Sequence, residues 1–131
     1  MVKLFISALF GVVLTAFSVS AQTDLCFKNE GLKFVRTVSF TLQGNKLEGT
    51  FESSGYEPTT SAETFEFTGR KTGSRLTIKF AGKPPYELPP GTKTIVWTLG
   101  PTTLKIPTYG KNYTTNRYSA YTAVYNKCGE I

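Results

Sequence analysis

Apolar and polar residues alternate with a period of two along most of the chain beyond residue 31. Between Thr92 and Gly110, Ile95, Trp97 and Leu99 alternate with Val96 and Thr98, and after the Gly100-Pro101-Thr102 turn Leu104 and Ile106 alternate with Thr103 and Lys105. This is the pattern of two half-buried strands joined as a hairpin. The stretches FTLQGNKLEGTF, from Phe40 to Phe51, and FEFTGRKTGSRLTIKF, from Phe65 to Phe80, repeat the form. Three hairpins in series predict an all-β, antiparallel up-and-down meander of about 7-8 strands, and satisfying its edges predicts a small closed or partly open barrel.

Within that pattern some positions stand out. Leu32, Phe34, Val38, Phe40 and Leu42 share one face of a strand that Arg36 interrupts. An inward guanidinium without a partner costs several kcal/mol, so Arg36 either faces a ligand, reaches a solvated barrel end, or meets a carboxylate such as Glu30 or Glu63. Gly44-Asn45 reads as a tight turn, followed by Leu47, Gly49 and Phe51 pointing inward. Gly49 in mid-strand predicts a bend or a close backbone approach. Further inward sets are Phe65, Phe67 and Gly69, then Leu76, Ile78 and Phe80.

Two long loops divide the strands, 53–62 (SSGYEPTTSA) and 81–92 (AGKPPYELPPGT). The paired prolines make the second loop stiff and extended. It is either a recognition loop that presents Tyr86, Glu87 and Leu88, or a rigid cover over a barrel mouth or sheet edge. In the last aromatic stretch, Tyr118, Ala120, Thr122 and Val124 fall on one face and Tyr121, Ala123 and Tyr125 on the other. Tyrosines with an apolar body and a polar tip serve interfaces, ligand pockets and cross-strand packing alike.

The first 21 residues read differently. Lys3 precedes an almost wholly apolar run from Leu4 to Phe17, and Val19-Ser20-Ala21 offers small residues for cleavage. This predicts a secretory signal peptide at 1–21 and one domain at 22–131, secreted or periplasmic, with no membrane span after cleavage. Losing Lys3 takes one of the 15 basic residues, leaving 14 against 9 acidic and a net charge of +5. These cations are scattered singly, which favours solubility over a nucleic-acid surface. In an oxidising compartment the two cysteines, Cys26 and Cys128, pair as one disulfide that ties the first segment to the last strand.

The chain contains no histidine. That removes a Ser-His-Asp triad, a Cys-His pair and the commonest zinc and iron sites. The carboxylates sit mostly at outward strand positions or in loops, which disfavours a glycosidase pair. We therefore expect no catalytic residues, no metal and no cofactor. Asn112-Tyr113-Thr114 has the form of a glycosylation sequon.

The leader, the short meander with Gly-containing hairpins and the terminal cysteine pair resemble small exported barrels of the lipocalin-like, or calycin, kind. The run PPYELPPGTKTIVWTLGPTTLKIPTYGKNY is similar to segments of secreted bacterial proteins. The lipocalin Gly-x-Trp signature near the first strand is absent, Trp97 lying in a late strand, so no family residues carry over. Two functions follow as expectations. The chain is a monomeric binding protein that holds a small apolar ligand in a barrel lined by Arg36, Phe40, Phe51, Phe67, Trp97 and Tyr118. Alternatively it binds an extracellular or envelope protein, as an interaction module or enzyme inhibitor, through loop 82–91 and surface tyrosines, with Tyr86, Glu87, Leu88 and Tyr113 as contacts. An eight-strand barrel is just wide enough for its own side chains or one small ligand, so the same phenylalanines serve as lining or as filling.

Overall fold

A computed structural model of the chain describes residues 21–31, 34–55, 62–112 and 114–129. Among them the period-2 segments form eight antiparallel strands: β1 (Thr23–Glu30), β2 (Phe34–Gln43), β3 (Lys46–Gly55), β4 (Glu63–Thr72), β5 (Arg75–Phe80), β6 (Ile95–Leu99), β7 (Thr103–Asn112) and β8 (Arg117–Lys127). Each pairs with the next in sequence and β8 returns to β1, giving a closed meander barrel. Closure leaves the sheet without a full-length free edge. The expected strands are all present, and β1 is added to them. Its inward residues are Leu25 and Phe27, opposite Phe40 and Val38, too few for a clear alternation.

The register explains the glycines. Gly49 lies directly between Phe40 on β2 and Phe67 on β4. With no side chain there, the two rings meet across it at 6.3 Å. A Cβ at this position would collide with the Ser39 carbonyl and with Phe40 itself. Gly69 plays the same part between Leu47 and Ile78. Leaving every second neighbour of a large residue small is how a narrow barrel accommodates rings on its inner rows.

The turns at Gly44-Asn45 and Gly73-Ser74 use glycines at φ 66° and 63°, the left-handed region where a side chain is strained. These turns and Gly100–Thr102 lie at one end of the barrel. The opposite end carries the 81–94 loop between β5 and β6 and the β7–β8 turn, where Asn112 Oδ1 accepts from the Thr114 and Thr115 amides at 2.9 and 3.2 Å. The expected leader at 1–20, together with Leu32, Tyr56 and Tyr113, lies outside the described residues. Among the described residues no helix is long and apolar enough to cross a membrane.

The seam is narrow. β1 and β8 pair only at Phe27↔Lys127 and Lys28↔Asn126. The amide of Cys128 donates to the Cys26 carbonyl at 2.9 Å, and Asn29 Nδ2 donates to the Val124 carbonyl at 2.9 Å. The Cys26–Cys128 disulfide then bridges the seam, with Cα atoms 5.3 Å apart and a sequence separation of 102. Replacing the bridge by Cys26→Ser with Cys128→Ser is expected to cost roughly 2–5 kcal/mol. Urea unfolding measures it, and an unchanged midpoint would show that the two ladder pairs close the barrel unaided.

Candidate functional site

The loop that separates β5 from β6 determines one end of the barrel. Ala81 makes a last sheet contact, its amide donating to the Glu66 carbonyl at 2.9 Å. The chain then bends at 85–86 and turns at 90–91 within the two Pro-Pro pairs, and Tyr86 between them points inward. Its ring stacks on Phe51 at 5.7 Å and meets Phe80 edge-on at 6.2 Å. Its hydroxyl accepts a hydrogen bond from Trp97 Nε1 at 2.9 Å, which satisfies the only polar atom of a fully buried indole. The Glu87 carbonyl accepts from Thr108 Oγ1 at 3.0 Å and from the Tyr109 amide at 3.1 Å. Thr92 closes the loop on the Pro89 carbonyl with its hydroxyl at 2.6 Å. The loop is thus a rigid cover, the second of its two expected roles. Tyr86 is a plug rather than a presented side chain, Leu88 is half-buried, and the Glu87 side chain is exposed.

Beneath the plug the interior is full. Phe67 stands edge-on to Trp97 at 5.1 Å and to Phe80 at 5.6 Å, and Phe51 packs on Phe80 and Tyr125 at 6.2 Å each. Phe40, Phe51, Phe67 and Trp97, four of the expected lining residues, are therefore core. The hollows that the surface does show lie elsewhere. One of about 550 Å³ sits where Gly49 bends the sheet, among the outward side chains of Thr41, Glu48, Thr50, Glu66, Thr68 and Lys79. Another of about 450 Å³ adjoins it at Gly69.

Tyr118 does not line the interior either. The β7–β8 register puts Tyr121, Ala123 and Tyr125 inside, opposite Thr108, Ile106 and Leu104. Tyr118 is therefore outside, 64 % exposed, stacked on Tyr109 at 6.1 Å.

The remaining candidate, Arg36, faces inward. It sits opposite Asn29 and Ser53, one inner position beyond buried Val38 toward the loop end of the barrel. Its guanidinium carbon lies 5.6 Å from the centre of the Phe34 ring. The group also stands beside the Tyr125 hydroxyl. Burial pushes the Tyr125 pKa up to about 12, against the opposing charge and hydrogen bond of Arg36. Arg36 Nε is enclosed yet has no hydrogen-bond partner. Glu30 is opposite Val35, on the outer face. Glu63 shares the inner row through Ser53 but is exposed. Among the described residues no carboxylate pairs with Arg36.

Two exposed rings share this end of the barrel with the cation. Phe34, 48 % exposed, continues the inner row of β2, and Tyr121, 51 % exposed, continues that of β8. Tyr121 lies against bare Gly110, where a Cβ would come within 3.3 Å of its ring. Sequence reasoning singled out Arg36 and set Phe34 on the same face, but did not bring Tyr121 and Tyr125 to this end. The alternation of Tyr121 and Tyr125 showed that they share a face without showing which way it points.

Among the described residues no group of three or more potential metal ligands converges. Comparison with known proteins found no matching family model, no matching curated protein and no matching solved structure.

Two outcomes test this packing. Tyr86→Ala removes the plug and its hydrogen bond and is expected to lower stability by roughly 2–5 kcal/mol with a red shift of Trp97 emission; a loss below about 1 kcal/mol would show that the loop does not seal the core. Alkali should act through the same residues. Burial also raises Tyr86 to about 12, partly offset by the Trp97 bond, from an ordinary value of 10.0. A raised folded-state pKa means the neutral form is favoured by folding. The stabilisation is complete below pH 10 and lost as pH climbs from 10 toward about 12. Ultraviolet tyrosinate absorbance should show two tyrosines that ionise late, with the urea midpoint falling across that interval.

Proposed function

We propose that this chain is an exported, non-catalytic binding protein of the lipocalin-like kind that takes a small, largely apolar ligand at the loop end of its barrel. The observation that carries this reading is the continuation of the inner aromatic rows past the filled core into exposed rings. Phe34 and Tyr121 are large and apolar, sit on inner rows, and stay about half exposed. A packed interior excludes a ligand from the barrel centre, so the exposed end of the same aromatic surface is where apolar contact remains to be made. The disulfide across the seam fits an oxidising, exported setting. The absence of histidine from the whole sequence fits binding rather than acid–base or nucleophilic chemistry.

The expected outcome is measured by amide and side-chain NMR titration of the domain with decanol and other small neutral and anionic amphiphiles. Shifts should concentrate at Phe34, Tyr121 and their strand neighbours, while Trp97 emission holds its position because the plugged core stays closed. Phe34→Ser combined with Tyr121→Ser should abolish the shifts without unfolding the barrel. Binding of no member of the panel would defeat the reading, and a shifted Trp97 signal with Phe34 unmoved would relocate the ligand to the interior.

A further inference from the structure

We infer that the ligand is an amphiphilic carboxylate whose headgroup is received by Arg36 and whose apolar body lies on Phe34 and Tyr121. This rests on the proposed binding role and adds the charge of what is bound. The enclosed Nε of Arg36 is unmatched. A buried donor on a charged group that meets no acceptor forfeits its hydration with nothing in return. A lysine or a carboxylate in this position would shed its charge, but a guanidinium does not deprotonate in proteins. The cost stays until an anion arrives, and no described carboxylate supplies one.

The surroundings define which anion. Arg36 is a planar fork, the geometry that matches a carboxylate with two parallel hydrogen bonds. Beside it stands the Tyr125 hydroxyl, which has a proton to donate to the same anion. Ser53 stands opposite Arg36 on the inner row, while the Asn29 amide is already committed to the Val124 carbonyl. One permanent positive charge suits a singly charged headgroup. Arg117, on the inner row of β8 but at its start, is exposed and separated from Tyr121 by Ser119. The rings complete the class, since the Phe34 face already sits 5.6 Å from the cation and Tyr121 is half exposed.

The test pairs decanoate with its neutral counterpart decanamide, read by calorimetry and by the Arg36 Nε–H resonance. Decanoate is expected to bind roughly tenfold to a hundredfold tighter than decanamide, the range of a charge-assisted hydrogen-bonded contact, and to move the Nε–H signal. Arg36→Met should bind both probes alike and melt no lower than the unsubstituted protein, since it removes an unsatisfied charge and keeps the volume. Equal binding of the two probes to the unsubstituted protein would overturn the anion inference and leave the apolar site standing. Binding of neither would overturn both.

Discussion

Closure at the β1–β8 seam is the constraint on which the rest of the molecule depends. A meander hides its edges only if its last strand finds its first, and here that meeting is made by two residue pairs. Everything distinctive about the termini serves the same junction. Cys26 and Cys128 bridge it covalently, the Cys128 amide bonds to the Cys26 carbonyl, and the Asn29 side chain reaches Val124 where the backbone ladder has stopped. A disulfide with a sequence separation of 102 restricts the unfolded chain over nearly the whole domain, so a ladder as short as that of β6 with β7 carries a covalent staple. The seam also fixes the direction in which β8 faces. With Tyr125 and Tyr121 turned inward, a tyrosine hydroxyl is delivered to Arg36 across the barrel end.

Closure with eight strands sets the bore, and the bore decides between lining and filling. An interior of that width is used up by its own side chains unless they are small. In this chain the inner rows carry Phe27, Phe40, Phe51, Phe67, Phe80 and Trp97, relieved only at Gly49 and Gly69. On the inner side the space is taken up, by the Phe40 and Phe67 rings 6.3 Å apart across Gly49 and by Leu47 and Ile78 beside Gly69. Tyr86 finishes the filling from above, bringing an acceptor to the one indole N–H that the apolar core has no means to satisfy. A polar demand deep in the core thus explains why the Pro-rich loop is stiff. A flexible loop would lose entropy each time it delivered the hydroxyl, whereas paired prolines restrict its backbone beforehand.

How much of this was legible beforehand depends on the kind of information involved. Alternation gave the strands, their inner faces and the barrel, since a period of two is local and shows directly in residues such as Ile95, Trp97 and Leu99. Gly49 was legible as a close approach for the same reason. The disulfide followed from there being two cysteines and an expected leader. What alternation does not contain is the sign of a face when both faces are aromatic. Tyr118 and Tyr121 looked equivalent, and only the ladder to β7, which seats Tyr121 opposite Thr108, separates outside from inside. Tyr86 was ambiguous for a different reason. A rigid loop with one large side chain reads the same whether the ring points to a partner or into a barrel, and the deciding contact, Trp97, is 11 residues away in sequence.

Arg36 marks where packing and function divide. The buried inner positions from Phe27 to Trp97 are explained by the need to fill the bore, and a methionine or leucine at position 36 would serve that need better than a guanidinium. A charge that cannot be neutralised, facing inward with one nitrogen unmatched, works against the fold it sits in. Natural proteins tolerate such a conflict where another requirement is met by it. The local surroundings are consistent with that requirement being recognition. The core ends at Val38, the next inner position is the cation, and the one beyond is an exposed ring. Along a single strand the barrel passes from filling, to charge, to open apolar surface, which is the sequence of environments that a bound amphiphile presents in reverse.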